Sequence, residues 1–208
     1  MKHMISLLLL TAVLLAAVAV ADAGNDPATD TLVNGCRALV GEFQTTLKGE
    51  LMKAMSEGGP ANAINVCQVQ APMVANNYSQ LNGWSIRRTA LRTRNPENTA
   101  APYEAAALQR LASDSLNELT EWVTDSAGNM QFHYLSAIRM AAPCLTCHGA
   151  KDQLSDDITG VLTELYPHDE AVDFKTGDLR GAFSITVDWP AGRAVADSLW
   201  LLTADTRK

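Results

Sequence analysis

Apolar residues recur at intervals of three and four along residues 31–57, a spacing that predicts an amphipathic helix. The sequence Gly58-Gly59-Pro60 follows, and residues of these types end one helix and open the next. A second, shorter helix is therefore expected from Pro60, closing at Pro72 and the polar pair Asn76-Asn77. One face of this second helix carries four apolar residues: Ala63, Ile64, Cys67 and Ala71.

Shorter stretches downstream alternate apolar and polar residues, which is typical of β-strands. Strands are expected at residues 84–93, 122–125, 130–139 and 181–187. A turn at residues 127–129 joins the middle two into a hairpin. Helices are expected after Pro102, over residues 155–165 and, more weakly, from Ala191. The helix after Pro102 is expected to turn six residues inward: Leu108, Leu111, Ala112, Ser115, Leu116 and Leu119. The pattern predicts an α+β domain with helices ahead of an antiparallel sheet.

An uncharged apolar run covers residues 4–21, preceded by Lys2 and followed by small residues. This order describes a secretory signal peptide. Cleavage is expected near residue 23, with Ala19-Val20-Ala21 as a second suitable site, leaving residues 24–208 as one domain. The alternative is an uncleaved membrane anchor, because the run is almost long enough to span a bilayer. The leader predicts a periplasmic protein.

The chain carries 16 basic and 23 acidic residues among 208, a formal net charge of −7. An acidic chain without a basic stripe argues against nucleic-acid binding. No second apolar run approaches the roughly 20 residues that a bilayer-spanning helix needs. After removal of the leader we therefore expect no stable membrane span. The sequence predicts no particular oligomeric state.

Two of the four cysteines lie in the sequence Cys144-Leu145-Thr146-Cys147-His148. This Cys-x-x-Cys-His pattern is the attachment signature of c-type haem. The spacing suits the chemistry, because each thiol adds to one vinyl group of haem and the adjacent histidine supplies an axial nitrogen to iron. The sequence therefore predicts one covalently bound haem c, with His148 as an iron ligand. An export signal agrees with this, because bacteria attach haem c outside the cytoplasmic membrane.

Other uses of these cysteines are disfavoured. A thioredoxin-type redox pair would leave the histidine after the second cysteine without a role. A structural zinc site needs a second pair of ligands at short spacing. The remaining Cys36, Cys67, His133 and His168 form no such pair.

The residue on the other side of the iron is left open by spacing alone. Seven side chains are candidates: Met73, Met130, Met140, His133, His168, Cys36 and Cys67. Cys36 lies within an apolar helical stripe, which favours buried packing. His168 precedes two acidic residues, which favours a solvated turn, and His133 lies on an alternating strand where it can face solvent.

Four separated stretches carry a family resemblance. They are residues 63–72 around Ile64-Asn65-Val66-Cys67, Arg92-Thr93-Arg94-Asn95-Pro96-Glu97-Asn98, Pro143-Cys144-Leu145-Thr146-Cys147-His148-Gly149, and Asp173-Phe174-Lys175-Thr176-Gly177-Asp178-Leu179-Arg180-Gly181-Ala182-Phe183-Ser184. In this order they resemble the c-type haem family proteins, which occur as exported single domains and as sensory modules and were long regarded as a domain of unknown function. The resemblance implies a PAS-like antiparallel sheet with N-terminal helices packed around one covalently bound haem.

The resemblance also implies the ligand set. The iron would be held by His148 on one side and by the sulfur of Cys67 on the other, while Cys36 matches no motif position. A thiolate ligand holds the reduction potential below that of a methionine-ligated centre, so a low-potential haem is expected.

Arginines are dense at Arg87, Arg88, Arg92 and Arg94, and guanidinium groups suit the two haem propionates. Arg92 and Arg94 lie inside a matched motif and are expected to bind haem. The alternative for this cluster is a solvated strand edge. Lys175 and Arg180 flank Gly177-Asp178, which favours a simple turn.

The functional hypothesis is a soluble periplasmic monohaem cytochrome that transfers electrons to an unidentified redox partner. Its acidic surface would steer it toward basic partners. The alternative is a haem-based redox or gas sensor in which the sulfur ligand is displaced. An enzyme is not expected, because no distal acid–base group stands at fixed spacing from the motif.

Overall fold

A computed structural model describes residues 27–79 and 83–195 of the chain. The expected leader at residues 1–23, and all but the first few residues of the expected C-terminal helix, lie outside these ranges. Helices and strands of four residues or more number eight within the described residues.

The first element, α1, covers Pro27–Tyr78 and is interrupted at Gly58 and Gly59. Gly59 has a φ of 72°, in the left-handed region where glycine carries no steric penalty. We call residues 27–57 α1a and residues 60–78 α1b. The two expected helices are thus confirmed, and α1b ends at Tyr78, directly after the expected Asn76-Asn77 pair, although it continues through Pro72. Proline removes one backbone donor, yet Ala71 and Val74 are buried and their packing holds the helix together beyond it.

Four strands form one antiparallel sheet in the order β1-β4-β3-β2. Their bounds are Trp84–Thr89 for β1, Glu118–Thr124 for β2, Met130–Arg139 for β3 and Leu179–Asp188 for β4. The expected hairpin is confirmed as β2 and β3. The expected first strand is too long, because the chain leaves β4 after Thr89 and Ala90 instead pairs with Thr99 in an isolated bridge.

Helices cover both faces of the sheet. On one face α1a packs against β1, β3 and β4, and the core contains Phe43, Cys36, Tyr134 and Phe183. Phe43 and Phe183 meet edge to face, with ring centroids 5.2 Å apart. The second face is covered by α2, Pro102–Ser113. Each large apolar side chain buried in such a core contributes about 1.5–3 kcal/mol.

The α2 helix buries fewer residues than its sequence suggests. Leu108 and Leu111 are fully buried against the sheet, but Ala112 and Ser115 are exposed. The helix ends at Ser113, and Ser115 has a left-handed φ of 54° that reverses the chain. Residues beyond this point lose the helical phase, which explains why Leu116 is exposed and why Leu119 is buried from β2.

Two helices complete the described chain. A single helical turn, α3, covers Leu145–His148, and α4 covers Asp156–Leu165. The α4 helix packs against α1b through Ile64, Ile158 and Leu162. No helix among the described residues is long and apolar enough to cross a membrane. The expected α+β class, with an antiparallel sheet and N-terminal helices, is confirmed.

Candidate metal centre

The Cys-x-x-Cys-His motif forms a short helical segment at the surface. A 3-10 turn over Ala142–Cys144, with Pro143 in its first turn, leads directly into α3. Cys144 is exposed, whereas Cys147 and His148 are half-buried. Proline is well suited to this first turn because its missing N–H has no helical partner there. The two thiols are therefore presented from one short turn, with the histidine directly after them.

The ring of His148 is oriented by a backbone carbonyl. Its Nδ1 lies 2.6 Å from the carbonyl oxygen of Ala171, and a carbonyl can only accept, so Nδ1 carries the hydrogen. The neutral ring then keeps its lone pair on Nε2, the tautomer that metal-bound histidines commonly adopt. Burial, together with the positive charges of Arg94 and Arg180, lowers the pKa of His148 to about 3. The imidazole is therefore a neutral nitrogen donor at physiological pH.

Residues 169–174, which we call the strap, hold the backbone of the motif in place through hydrogen bonds. The backbone N–H of Phe174 donates to the His148 carbonyl over 3.0 Å, and that of Asp173 donates to the Gly149 carbonyl over 2.7 Å. The Phe174 ring meets the His148 ring edge-on, with centroids 6.4 Å apart. A side chain on Gly149 would place its Cβ 2.6 Å from the Leu145 carbonyl oxygen. Glycine is thus required at this position, because the chain passes too close to the Leu145 carbonyl to leave room for a side chain.

Cys67 faces the motif from α1b. It is half-buried, and its electrostatic neighbours are Arg88, Cys147 and Glu50. Burial raises the pKa of the Cys67 thiol, and the nearby Cys147 adds to the increase, while Arg88 opposes it. The apolar cluster between α1b and α4 also includes Cys147 and Tyr166. Packing of α1b on α4 therefore brings Cys67 within electrostatic range of the second cysteine of the motif, across 80 residues of sequence.

Arg92 and Arg94 lie near the motif but already have protein partners. Arg94 forms an ion pair with Asp169 over 2.9 Å and donates to the Cys147 carbonyl over 2.7 Å. Arg92 donates to the carbonyls of Glu170 and Val172. Both side chains thus hold the strap in place. Their expected contact with haem stays a prediction.

Arg87 and Arg88 point to opposite faces of the sheet, as neighbouring strand residues do. Arg87 forms an ion pair with Glu104 of α2 over 2.6 Å, and Glu104 also accepts from the Thr89 hydroxyl over 2.9 Å. Arg88 lies on the other face, near Cys67 and Tyr166. The four-arginine cluster is therefore divided by the sheet, and Arg87 belongs to a structural contact remote from the motif.

Arg180 joins the motif from the start of β4. It donates to the Arg92 carbonyl over 3.0 Å, and its guanidinium lies 5.7 Å from the centre of the Phe174 ring. Burial and the charges of Arg94 and Arg88 lower the pKa of Arg180 to about 10. Its sequence context favoured a simple turn, but the side chain lies near the Cys-x-x-Cys-His motif and is not directed to open solvent.

The other candidate ligands lie in different surroundings. Met73 and Met130 are exposed, and Cys36 is fully buried in the sheet core, as expected from its apolar stripe. Met140 packs with Leu145 and Phe174 below the motif. His168 is exposed, in agreement with a solvated turn.

His133 is buried, whereas its place on an alternating strand had allowed it to face solvent. It is 7% exposed, and its ring stacks on Tyr103 of α2 with centroids 4.4 Å apart. It therefore lies on the opposite face of the sheet from the Cys36 core. Tertiary packing by α2 covers this position, which strand alternation alone leaves undecided.

Three residues of the strap carry roles that sequence reasoning missed. Asp169 was expected in a solvated turn, yet its side chain is 9% exposed and pairs with Arg94. Ala171 is fully buried and orients His148 through its backbone, for which no side-chain pattern exists. Phe174 lies inside one of the four stretches that carry the family resemblance. This was the feature of the sequence that indicated its importance. No cluster of three or more His, Cys, Asp or Glu suited to a metal occurs within residues 27–79 and 83–195.

Comparisons with known proteins agree with this architecture. The crystal structure of the cyanobacterial heme-protein Tll0287 is similar, with a TM-score of 0.55 and 27% identity. The match covers 80% of this chain and 98% of that chain. No curated protein sequence matches the chain. The model of the Tll0287-like family matches residues 16–188, well over half of the sequence, and confirms the resemblance inferred from the four motifs. The chain therefore belongs to the Tll0287-like family.

Proposed function

We propose that this protein is an exported monohaem cytochrome that transfers electrons in the periplasm and catalyses no reaction of its own. Cys144 and Cys147 would bind the haem covalently, with His148 and Cys67 as the axial ligands. The similar cyanobacterial protein Tll0287 is a heme-protein, which supports the cofactor.

One observation carries the proposal. The Nδ1–H of His148 is committed to the Ala171 carbonyl over 2.6 Å, directly after two cysteines spaced for the vinyl groups of haem. A hydrogen bond from the distal nitrogen of a ligating histidine is the usual support of a metal-bound ring. A histidine in a mere surface turn has no need of a fixed tautomer.

The charges around the motif also fit haem. Arg88, Arg94 and Arg180 all lie close enough to His148 to lower its pKa. Asp169 pairs with Arg94, and it is the carboxylate that opposes Arg180 electrostatically among the described residues. Arg92 is a further positive neighbour of Arg180. The guanidinium groups therefore outnumber the carboxylates around the motif, and this positive excess suits the two propionates of haem. In a chain of net charge −7, this local excess is specific to the site.

Bound haem would supply an iron centre that gains and loses one electron. The chain itself would hold this group in several ways. Cys144 and Cys147 would provide the thioether sulfurs, Phe174 packs beside the His148 ring, and Cys67 is half-buried on α1b, which packs on α4. Cys144 is exposed, so the edge attached to it would be the edge accessible to a redox partner.

The first experiment is expression of the full chain in a bacterium that carries a c-type haem attachment system. Periplasmic protein is denatured and extracted with acidified acetone, then analysed by mass spectrometry and by its pyridine haemochrome spectrum. One haem per chain should remain attached in the wild type. It should be lost in C144A/C147A but retained in C36A. A wild-type chain that carries no covalent haem would refute the proposal.

A sensor is the second candidate, and the Gly58-Gly59 break favours it. Cys67 lies beyond this break, so α1b can shift without bending α1a. Exposing the reduced protein to carbon monoxide separates the two functions. A carrier keeps both axial ligands and its absorption spectrum. Rapid formation of a carbon monoxide adduct would count against a pure carrier and support a sensor in which Cys67 is displaced.

A further inference from the structure

Arg88 differs from the other arginines around the candidate centre. Arg92, Arg94 and Arg180 each donate to backbone carbonyls, and Arg94 also has a carboxylate partner. Within the part of the chain that the structure describes, the Arg88 side chain has neither a hydrogen bond nor an ion pair. A guanidinium group carries five N–H donors, so this leaves its whole fork available.

The position of Arg88 directs this free fork toward the centre. Trp84 and Ile86 lie on the α1 face of β1, and strand alternation places Arg88 on the same face. Cys67 of α1b and Tyr166 after α4 lie within electrostatic range of it. Its charge also acts on His148. Arg88 is therefore within electrostatic range of both proposed axial ligands.

Leaving such a group without an anion is unfavourable. Arg88 is half-buried, and burial lowers its pKa. Further charged groups around the motif are Glu50, Arg92, Arg94, Asp169 and Arg180, and Asp169 is already bound to Arg94. A partly desolvated cation without a partner costs free energy that a bound carboxylate would recover.

We propose that Arg88, rather than Arg92 or Arg94, is the arginine that binds a haem propionate. The inference rests on the proposed function, because it requires haem at the motif. The planar fork of a guanidinium matches a carboxylate in bidentate geometry. Arg92 and Arg94 then have a different role, which is to hold the strap that orients His148.

The test compares R88Q and R88K with R110Q in the haem-loaded protein. Arg110 is exposed on α2, so R110Q removes the same charge at a position remote from the motif. The midpoint potential is measured for each variant. Infrared redox difference spectra are recorded with ¹³C-labelled propionates, whose carboxylate band reports contact with a guanidinium.

R88Q should lower the midpoint potential more than R110Q does, because loss of a nearby cation stabilises the ferric state. It should also shift one propionate band, with partial recovery in R88K. If haem-loaded R88Q matches R110Q in both measurements, the inference about Arg88 is overturned and the proposed function stands. If R88Q does not accumulate, the pH dependence of the propionate carboxylate bands in the wild type tests the inference instead. Both propionates titrating between pH 5 and 8 would overturn the inference, since a carboxylate held by Arg88 stays ionised there. Absence of covalent haem from the wild type would refute the proposed function as well.

Discussion

His148 donates its Nδ1 hydrogen to the carbonyl oxygen of Ala171 over 2.6 Å, and this bond joins two segments 23 residues apart. The contact fixes the ring orientation that the proposed haem ligand needs. It also depends on the strap, since the Ala171 N–H is itself bound by the Asp169 carboxylate over 2.8 Å. The ion pair of Asp169 with Arg94 therefore supports His148 indirectly.

Replacing the strap carboxylate should destabilise the fold. D169N leaves Arg94 as a nearly buried cation without its partner, since the Arg94 side chain is 12% exposed. Breaking a buried pair in this way costs about 3 kcal/mol. Urea unfolding followed by circular dichroism measures the loss. E170Q is the matched control because Glu170 is exposed, and it should change the free energy of unfolding by less than about 0.5 kcal/mol. Equal losses in both variants would contradict the role of the pair.

The distal ligand can be tested by removing each non-motif cysteine. C67A should change the low-spin absorption spectrum without loss of covalent haem, because the thioether bonds involve other sulfurs. C36A should leave the spectrum unchanged. It should lower the free energy of unfolding by an amount on the order of 1 kcal/mol, because Cys36 is fully buried. A spectral change in C36A with none in C67A would show that the ligand assignment is wrong.

The glycine after the motif should tolerate no side chain. In G149A the new Cβ would meet the Leu145 carbonyl oxygen at 2.6 Å, so α3 must shift. We expect a destabilisation on the order of 1–3 kcal/mol and a smaller fraction of chains with attached haem. The control is G160A in the middle of α4, where nothing lies within 4 Å of the added atom. That change should stabilise the protein by about 0.5–1 kcal/mol, so equal behaviour of the two variants would contradict the steric argument.

Glu118 should make part of the stability pH-dependent. Its hydrogen bond with Arg37, and a second from the Tyr134 hydroxyl over 2.9 Å, lower the pKa of Glu118. A carboxyl with a lowered folded-state pKa stabilises the protein above its unfolded-state pKa of about 4.3, and the contribution is lost as the pH falls below that value.

Comparing wild type with E118Q by urea unfolding at pH 6 and pH 3.5 measures this contribution. The wild type should be more stable by about 0.5–1 kcal/mol at pH 6, since the pair is partly exposed, and the difference should shrink at pH 3.5. A difference that grows with acidity would have the wrong sign for this mechanism.

Much of the fold follows from local pattern. The three- and four-residue spacing of α1a, the Gly58-Gly59 break and the hairpin turn at residues 127–129 each act through nearby backbone geometry. The Cys-x-x-Cys-His sequence is equally local, because its chemistry needs thiols and an imidazole at fixed short spacing. These features were therefore predictable without tertiary structure.

Element ends and polar partners were less predictable. The α1b helix continues past Pro72 because Ala71 and Val74 are packed by other elements. His133 is covered because α2 folds over β3. Asp169 is held by Arg94 from 75 positions away. Each of these outcomes depends on long-range packing, which local periodicity does not contain.

The sequence by itself determined the spacing of the two thiols and the imidazole in the motif, most of the division into helices and strands, and the family resemblance. Only the tertiary structure decided which groups surround the motif. It placed Cys67 within electrostatic range of Cys147, gave His148 a backbone partner in Ala171, and divided Arg87 from Arg88 by the plane of the sheet. The physical reason is that the Cys-x-x-Cys-His signature consists of consecutive residues. An electrostatic environment, in contrast, is assembled from elements that meet only when their apolar faces are buried together.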